Sequence, residues 1–401
     1  MNPVVYANRA AAHLATKEYI DAVFDCEKAT KLDPTYAKAW ARLGTALYEL
    51  SSWDECSNAW NKALEHLSKP TLTPSELALK IQVEDGLKLA QEGSLKNAAS
   101  AKLAPVGRSP GLSPDTSPCT RAAALTWRKE REIQACKTPS PIPPSCVFTL
   151  NYANACISAA NRMLNTLAHA PAGQGLFAMA TSGAVFENLT SAILLDERVF
   201  HVEAPHEFYG KLAKQYFLES LGGKSLVEGG GLDNIRKEVL KRLQEQDWET
   251  EVAPVVSLTV RYWIFQAHWR FYLYGPTFFS YLLYTRVIEF LEWGSDHWPH
   301  SPESVLCGGT FREDLLRGVM RLRLQTMQAL LGTKPPDDLE HLFTMNDLVA
   351  DAHELIDATN AHEFPKSSSG LPIGQVAAFW SHYHRPRARR TWLGAPLYRT
   401  V

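Results

Sequence analysis

The stretch Tyr6-Ala7-Asn8-Arg9-Ala10-Ala11-Ala12 and its counterpart further on, Trp40-Ala41-Arg42-Leu43-Gly44-Thr45-Ala46, decide the fold. Sliding the sequence along itself until Tyr6 falls on Trp40 also puts Ala10 on Gly44, Tyr19 on Trp53, Ala22 on Cys56 and Lys28-Ala29 on Lys62-Ala63. A period of this length marks stacked supersecondary units, each unable to bury its apolar face except against a neighbour. Apolar residues recur at helical spacing in both halves of each period, so each unit reads as a pair of antiparallel helices. Where two such helices cross, only small side chains fit, and bulky neighbours fill the flanking gaps. Ala10, Ala22, Ala29, Gly44, Cys56 and Ala63 are the small partners, and Tyr6, Trp40 and Trp60 the large ones. Leu32-Asp33-Pro34 closes the first unit, because a proline there cannot continue the helix.

Working outward, Thr73-Pro74-Ser75-Glu76 carries a capping-box pattern with proline at the first helical position. It opens a helix with Leu79, Val83, Leu87 and Ala90 on one face, which reads as the cap of the array. The expected N-terminal domain is therefore residues 1–95, with units at 3–36 and 37–70 and a capping helix at 73–92.

Asn8 and Arg42 hold the same place in successive units, and Lys38 precedes Arg42 by one helical turn. All three are expected to face one groove. One amide and two cations converging on a concave surface suit a peptide carboxylate, with Arg42 offering paired donors and Lys38 a point charge.

The two units have the tetratricopeptide (TPR) pattern. Tyr6 to Ala12, Asp25-Cys26-Glu27-Lys28-Ala29 and Leu32-Asp33-Pro34-Thr35-Tyr36-Ala37-Lys38-Ala39-Trp40-Ala41-Arg42 together resemble the clamp-type co-chaperones, which include the small glutamine-rich TPR co-chaperone and the chaperone-organising protein. The resemblance spans residues 3–67. It implies that Asn8, Lys38 and Arg42 take part in a dicarboxylate clamp for the C-terminal Glu-Glu-Val-Asp of a cytosolic heat-shock chaperone. In that family a preceding repeat supplies a further Lys and Asn, and only three of the usual five groups are expected here. The expectation is an N-terminally truncated version, with a vestigial site or one completed by a partner as the alternatives. Residues beyond the repeats resemble the C-terminal parts of uncharacterised fungal TPR-like proteins.

Composition agrees with a protein-binding role. Forty-one basic and 43 acidic side chains in 401 residues give a formal net charge of −2, so no bulk field draws nucleic acid or an anionic membrane. Seven cysteines without a CxxC pair are not a disulfide framework and point to a reducing, cytoplasmic setting. The N-terminus carries no signal-peptide pattern. The aromatic stretch from Val255 to Trp293 includes Arg261, Arg270, Arg286, Glu289 and Glu292 and breaks at Gly275-Pro276, so buried helices are expected there and not a membrane span.

Between Ala104 and Ser145 fall eight of the 24 prolines, many in Ser-Pro and Thr-Pro pairs. Residues 96–146 are accordingly expected to be a disordered linker. After it, residues 147–365 read as a second α-helical domain, with helices at Phe148 to Leu167, Pro205 to Leu221, Leu232 to Gln246, Val255 to Tyr274, Pro276 to Trp293, Thr310 to Leu331 and Met345 to Thr359. A second capping box is expected at Thr310-Phe311-Arg312-Glu313 and a helix stop at Gly332. The pair around Gly275-Pro276 is a candidate degenerate TPR hairpin. Residues 366–401 form a loose basic and aromatic tail, which includes Arg385, Arg387, Arg389 and Arg390.

No catalytic site emerges. Gly222-Gly223-Lys224-Ser225 lacks the first glycine of a phosphate loop and follows a helix pattern. His201-Val202-Glu203 has no CxxC to complete a zinc set, and His353 and His362 lie too far apart for HExxH. The fold class read from the sequence is all-α, a TPR α-solenoid plus a second helical domain. No cofactor, no metal, no enzyme activity and no nucleic-acid partner are expected. The function expected is a co-chaperone-like adaptor holding a chaperone's C-terminal peptide. The alternative is a structural TPR scaffold without a carboxylate clamp, whose repeats pack on its own C-terminal helices.

Overall fold

The computed structural model describes residues 2–101 except 70, 146–168, 185–220 except 201, 203 and 204, residue 226, 231–297, and 310–361 except 334–338 and 341. Most of the expected linker, the glycine-rich 222–225 segment, His201 and the tail lie outside the described residues. Within them the chain is all-α.

Two helical hairpins come first: α1 (Pro3–Ala15) with α2 (Tyr19–Leu32), and α3 (Ala37–Glu49) with α4 (Trp53–Leu67). Asn2 caps α1 by accepting from the Val4 N–H at 2.9 Å, and Pro3 takes a position whose N–H would have no helical partner. The two turns inside the hairpins repeat as closely as the helices do. Lys17 and Ser51, at equivalent places in the two units, both take positive φ (64° and 53°). In each turn the following residue's N–H returns to the last helical turn, Glu18 to the His13 carbonyl and Ser52 to the Leu47 carbonyl. These are left-handed helix stops, made here without glycine. Between the hairpins Asp33 accepts from both the N–H and the hydroxyl of Thr35 (2.9 and 2.7 Å), and Trp40 donates its indole N–H to the Pro34 carbonyl.

Packing follows the alternation of small and large. Ala10, Ala22, Ala29, Cys56 and Ala63 are fully buried. Trp60 lies between Gly44 of α3 and the following helix and donates its indole N–H to the Ala41 carbonyl at 3.1 Å. A Cβ at Gly44 would stand 2.2 Å from the Trp60 ring, so glycine is required there. Tyr6 packs with Tyr36 against the buried alanines Ala7, Ala29 and Ala39 at the joint between hairpins.

Helix α5 (Pro74–Ala101) opens with the expected reciprocal cap: Thr73 N–H to Glu76 at 2.9 Å and Glu76 N–H to the Thr73 hydroxyl at 3.3 Å. It lies against α4 with Gly86 under Trp60, and it continues to Ala101, past the expected end at 92.

The later helices are α6 (Cys146–Ala168), α7 (Val185–Asp196), α8 (Pro205–Glu219), α9 (Leu232–Glu245), α10 (Ala253–Tyr274), α11 (Phe278–His297), α12 (Glu313–Leu331) and α13 (Met345–Ala361). Helix α7 is buried on nearly every side and packs against α6, α10 and α12. Its outer side carries only Glu187, Asn188 and Ser191 while the polar Thr190 and Asp196 are buried, so polar and apolar positions do not separate cleanly, and it is absent from the helices expected from sequence. The turn at Gly275 (φ 82°) joins α10 to α11 as an antiparallel pair centred on Trp263, Phe279, Tyr284 and Phe290.

The expected capping box at Thr310 does not form. Arg312 is the N-cap, the helix starts at Glu313, and Glu313 pairs forward with Arg317. Phe311 is drawn instead into a stack against Trp248 and close to Phe290, while Arg312 grips Asp314. An unforeseen capping box does occur at Thr344, whose N–H and hydroxyl both reach Asp347 (2.7 and 2.8 Å). Gly332 ends α12 as expected.

Among the described residues no helix is long and apolar enough to cross a membrane, and no group of His, Cys, Asp or Glu is arranged to hold a metal.

Candidate peptide-binding groove

Helices α1 and α3 are the first members of their hairpins and lie side by side. The repeat step carries Asn8 onto Arg42, and the structure brings the two together: Arg42 Nη1 donates to the Asn8 carboxamide oxygen at 3.3 Å and to the Ala7 carbonyl at 2.5 Å. One guanidinium nitrogen thus bridges two helices. Asn8 and Lys38 are exposed and Arg42 is half-buried. Lys38 stands one turn before Arg42 on α3, on the same side of the helix. Neither cation forms an ion pair with an acidic side chain among the described residues.

Behind this face the first hairpin is held by charges the sequence reading did not single out. Arg9 of α1 makes a two-pronged contact with the buried Asp25 of α2, 2.7 Å from Nε and 2.5 Å from Nη2. Hydrogen bonding to Asp25 raises the guanidinium above its ordinary value, so it stays charged. His13 Nδ1 lies 2.7 Å from Glu18, bracing the turn at Lys17. Cys26 and Cys56 are buried thiols. Burial raises both, Cys56 up to about 12, so they pack as small apolar residues and supply no thiolate.

The other face of the hairpins is covered by α10 and α11. Arg270 of α10 reaches Glu27 of α2 at 2.6 Å and also Glu55 of α4, with its guanidinium 4.1 Å over the Phe279 ring. Arg286 of α11 makes a two-pronged pair with Asp21 of α2, at 2.9 and 2.5 Å. Phe24 meets Phe279 edge-on at 6.2 Å. Burial lowers Arg270, but the Glu55 and Glu27 charges more than offset it, and the net shift is upward. At Glu55 burial dominates and lifts the carboxyl, against the pull of Arg270. One apolar cluster runs without a break from the repeats into α6–α12 and reaches Leu355. The sequence signal for this seam was present in Asp21 and Glu55 at equivalent places in the two units, but their partners lie far along the chain, at Arg286 and Arg270.

No protein-family model matches the chain. Among curated proteins it is 40% identical over 65 residues to the heat shock protein sti1 homolog of Schizosaccharomyces pombe, covering 16% of this chain and 11% of that one. It is 45% identical over 64 residues to small glutamine-rich tetratricopeptide repeat-containing protein 2 of Saccharomyces cerevisiae, covering 16% and 18%. A longer stretch of 106 residues is 36% identical to the Hsp70-Hsp90 organizing protein of Triticum aestivum, covering 26% and 16%. The chain thus spans between about a tenth and a fifth of the length of these relatives. In that part it carries a tetratricopeptide segment similar to those of small glutamine-rich and STI1-type co-chaperones.

Proposed function

We propose that the protein is an adaptor of the co-chaperone kind, in which Asn8, Lys38 and Arg42 hold the C-terminal carboxylate of a heat-shock chaperone's peptide. The observation that carries this reading is the meeting of Asn8 and Arg42 across two hairpins on an open face, with Lys38 a turn away. Arg42 spends one nitrogen on Asn8 and Ala7, which fixes its plane, and its remaining N–H groups can take a carboxylate. The Asn8 amide can donate from its nitrogen while its oxygen stays with Arg42. Lys38 adds charge without fixed geometry. This is binding by positioned donors, with no chemical step.

The likeness to a protein named as organising Hsp70 and Hsp90 supports the choice of partner. The scaffold reading draws on the packing of α2 and α4 onto α10–α11. That packing uses α2 and α4 and leaves Asn8, Lys38 and Arg42 of α1 and α3 outside it, so it does not by itself argue against the groove. Fluorescence anisotropy of a labelled Glu-Glu-Val-Asp peptide tests the proposal. Native protein is expected to bind it weakly and in a salt-sensitive way, and Lys38→Ala and Arg42→Ala each to weaken binding several-fold. Equal affinity in all three proteins would refute the groove.

A further inference from the structure

We infer that Arg270 is a positioning residue for the groove, tying Glu27 of the first hairpin to Glu55 of the second and so setting how Asn8 and Arg42 meet on the opposite face. This assignment rests on the groove reading above. Each hairpin is rigid within itself, through Arg9 on Asp25 in the first and Trp60 against Gly44 in the second. The joint between them is different. Beside the apolar cluster that both hairpins share, α1, α2 and α3 meet through Ala7, Ala29 and Ala39, short side chains that fix the tilt less firmly than large interlocking ones would.

Arg270 crosses that joint from behind. It is 4% exposed, it belongs to neither hairpin, and its two carboxylate partners come one from each. Arg286 on Asp21 and Phe279 against Phe24 anchor α11 to the first hairpin, so the second arm of Arg270 pins the other hairpin relative to it.

The cluster is poorly built for stability alone. Arg270 Nε and Glu55 Oε2 are buried without hydrogen-bond partners, and a buried pair with unmet groups contributes less than well-packed apolar residues would. What such a bridge does well is select one arrangement among several. The arrangement it selects governs the span between α1 and α3, where a shift of about an ångström separates productive donors from unproductive ones.

The test uses Glu27→Gln in the full chain, which removes the charge of the arm to the first hairpin and leaves a weaker neutral acceptor, while Glu55 still partners Arg270. The Asn8 side-chain amide is followed by NMR without ligand, and Glu-Glu-Val-Asp peptide affinity is then measured. The expected result is a moved Asn8 amide pair and a 3- to 10-fold loss of affinity. By linkage, peptide bound to the native protein should slow amide exchange in α10 around Arg270. A merely structural role would lower the melting temperature and leave the Asn8 signal in place. An Asn8 signal and an affinity both unchanged by Glu27→Gln would overturn the inference. Should the native chain bind no peptide while the Asn8 signal still moves, the bridge stands as geometry and the groove reading is the one that fails.

Discussion

Asp21 and Glu55 occupy the same step of successive hairpins, and each carboxylate receives an arginine from the α10–α11 pair, Arg286 and Arg270 respectively. The repeat that shapes the groove on one side thus also sets the spacing of the anchor points on the other. The C-terminal helices read that spacing with two guanidinium groups.

Removing one member of the Arg286–Asp21 pair leaves a buried charge alone. Asp21→Ala is expected to destabilise the protein by about 3–5 kcal/mol, whereas Asp21→Leu combined with Arg286→Leu should lie close to the native value. Urea denaturation of the three proteins measures both. A single substitution costing as little as the double would mean that the pair is not buried as described.

Trp60 and Gly44 give a second expectation. Alanine favours a helix over glycine, yet Gly44→Ala places a methyl group inside the Trp60 ring envelope. The net effect should be a loss of about 1–3 kcal/mol from overpacking. The same change in a Trp60→Leu background should cost less, and the two unfolding free energies decide it.

His268 supplies a pH dependence. Burial lowers its pKa from the ordinary 6.5 to about 4, against the nearby Glu197 charge, which raises it. The unfolded chain therefore binds a proton between those values that the folded chain refuses. Stability is full above pH 6.5 and is lost as pH falls toward 4, by up to roughly 3 kcal/mol. Thermal melts across that window should show the decline, and His268→Phe should flatten it. A slope unchanged by the substitution would place the proton elsewhere.

The fold was readable from sequence where the chain repeats itself. Trp40 with Gly44 and Ala10 with Ala22 announce helix pairs because a crossing point tolerates so few side chains, and Thr73 with Glu76 announces a helix start because two backbone donors need partners. Helix α7 was missed because its polar side is short, Glu187, Asn188 and Ser191, and the polar Thr190 and Asp196 are buried among Phe186, Leu189, Ile193 and Leu195, which blurs its period. Thr310 misled because the helix starts after Arg312, with Phe311 packed on Trp248 and Phe290 in place of the local cap. Asn8 and Arg42 could be placed side by side from the repeat step alone. The partners of Asp21, Glu27 and Glu55 could not, since nothing local in α10 or α11 says which surface their arginines will meet.

Carboxylate recognition is the centre of the account, and comparing a Glu-Glu-Val-Asp peptide carrying a free C-terminal acid with the same peptide ended as an amide probes it most directly. Calorimetry at low salt should find the free acid bound at least tenfold more tightly, with Arg42→Ala erasing most of the difference. Equal binding of acid and amide would show that Asn8, Lys38 and Arg42 do not form a carboxylate site.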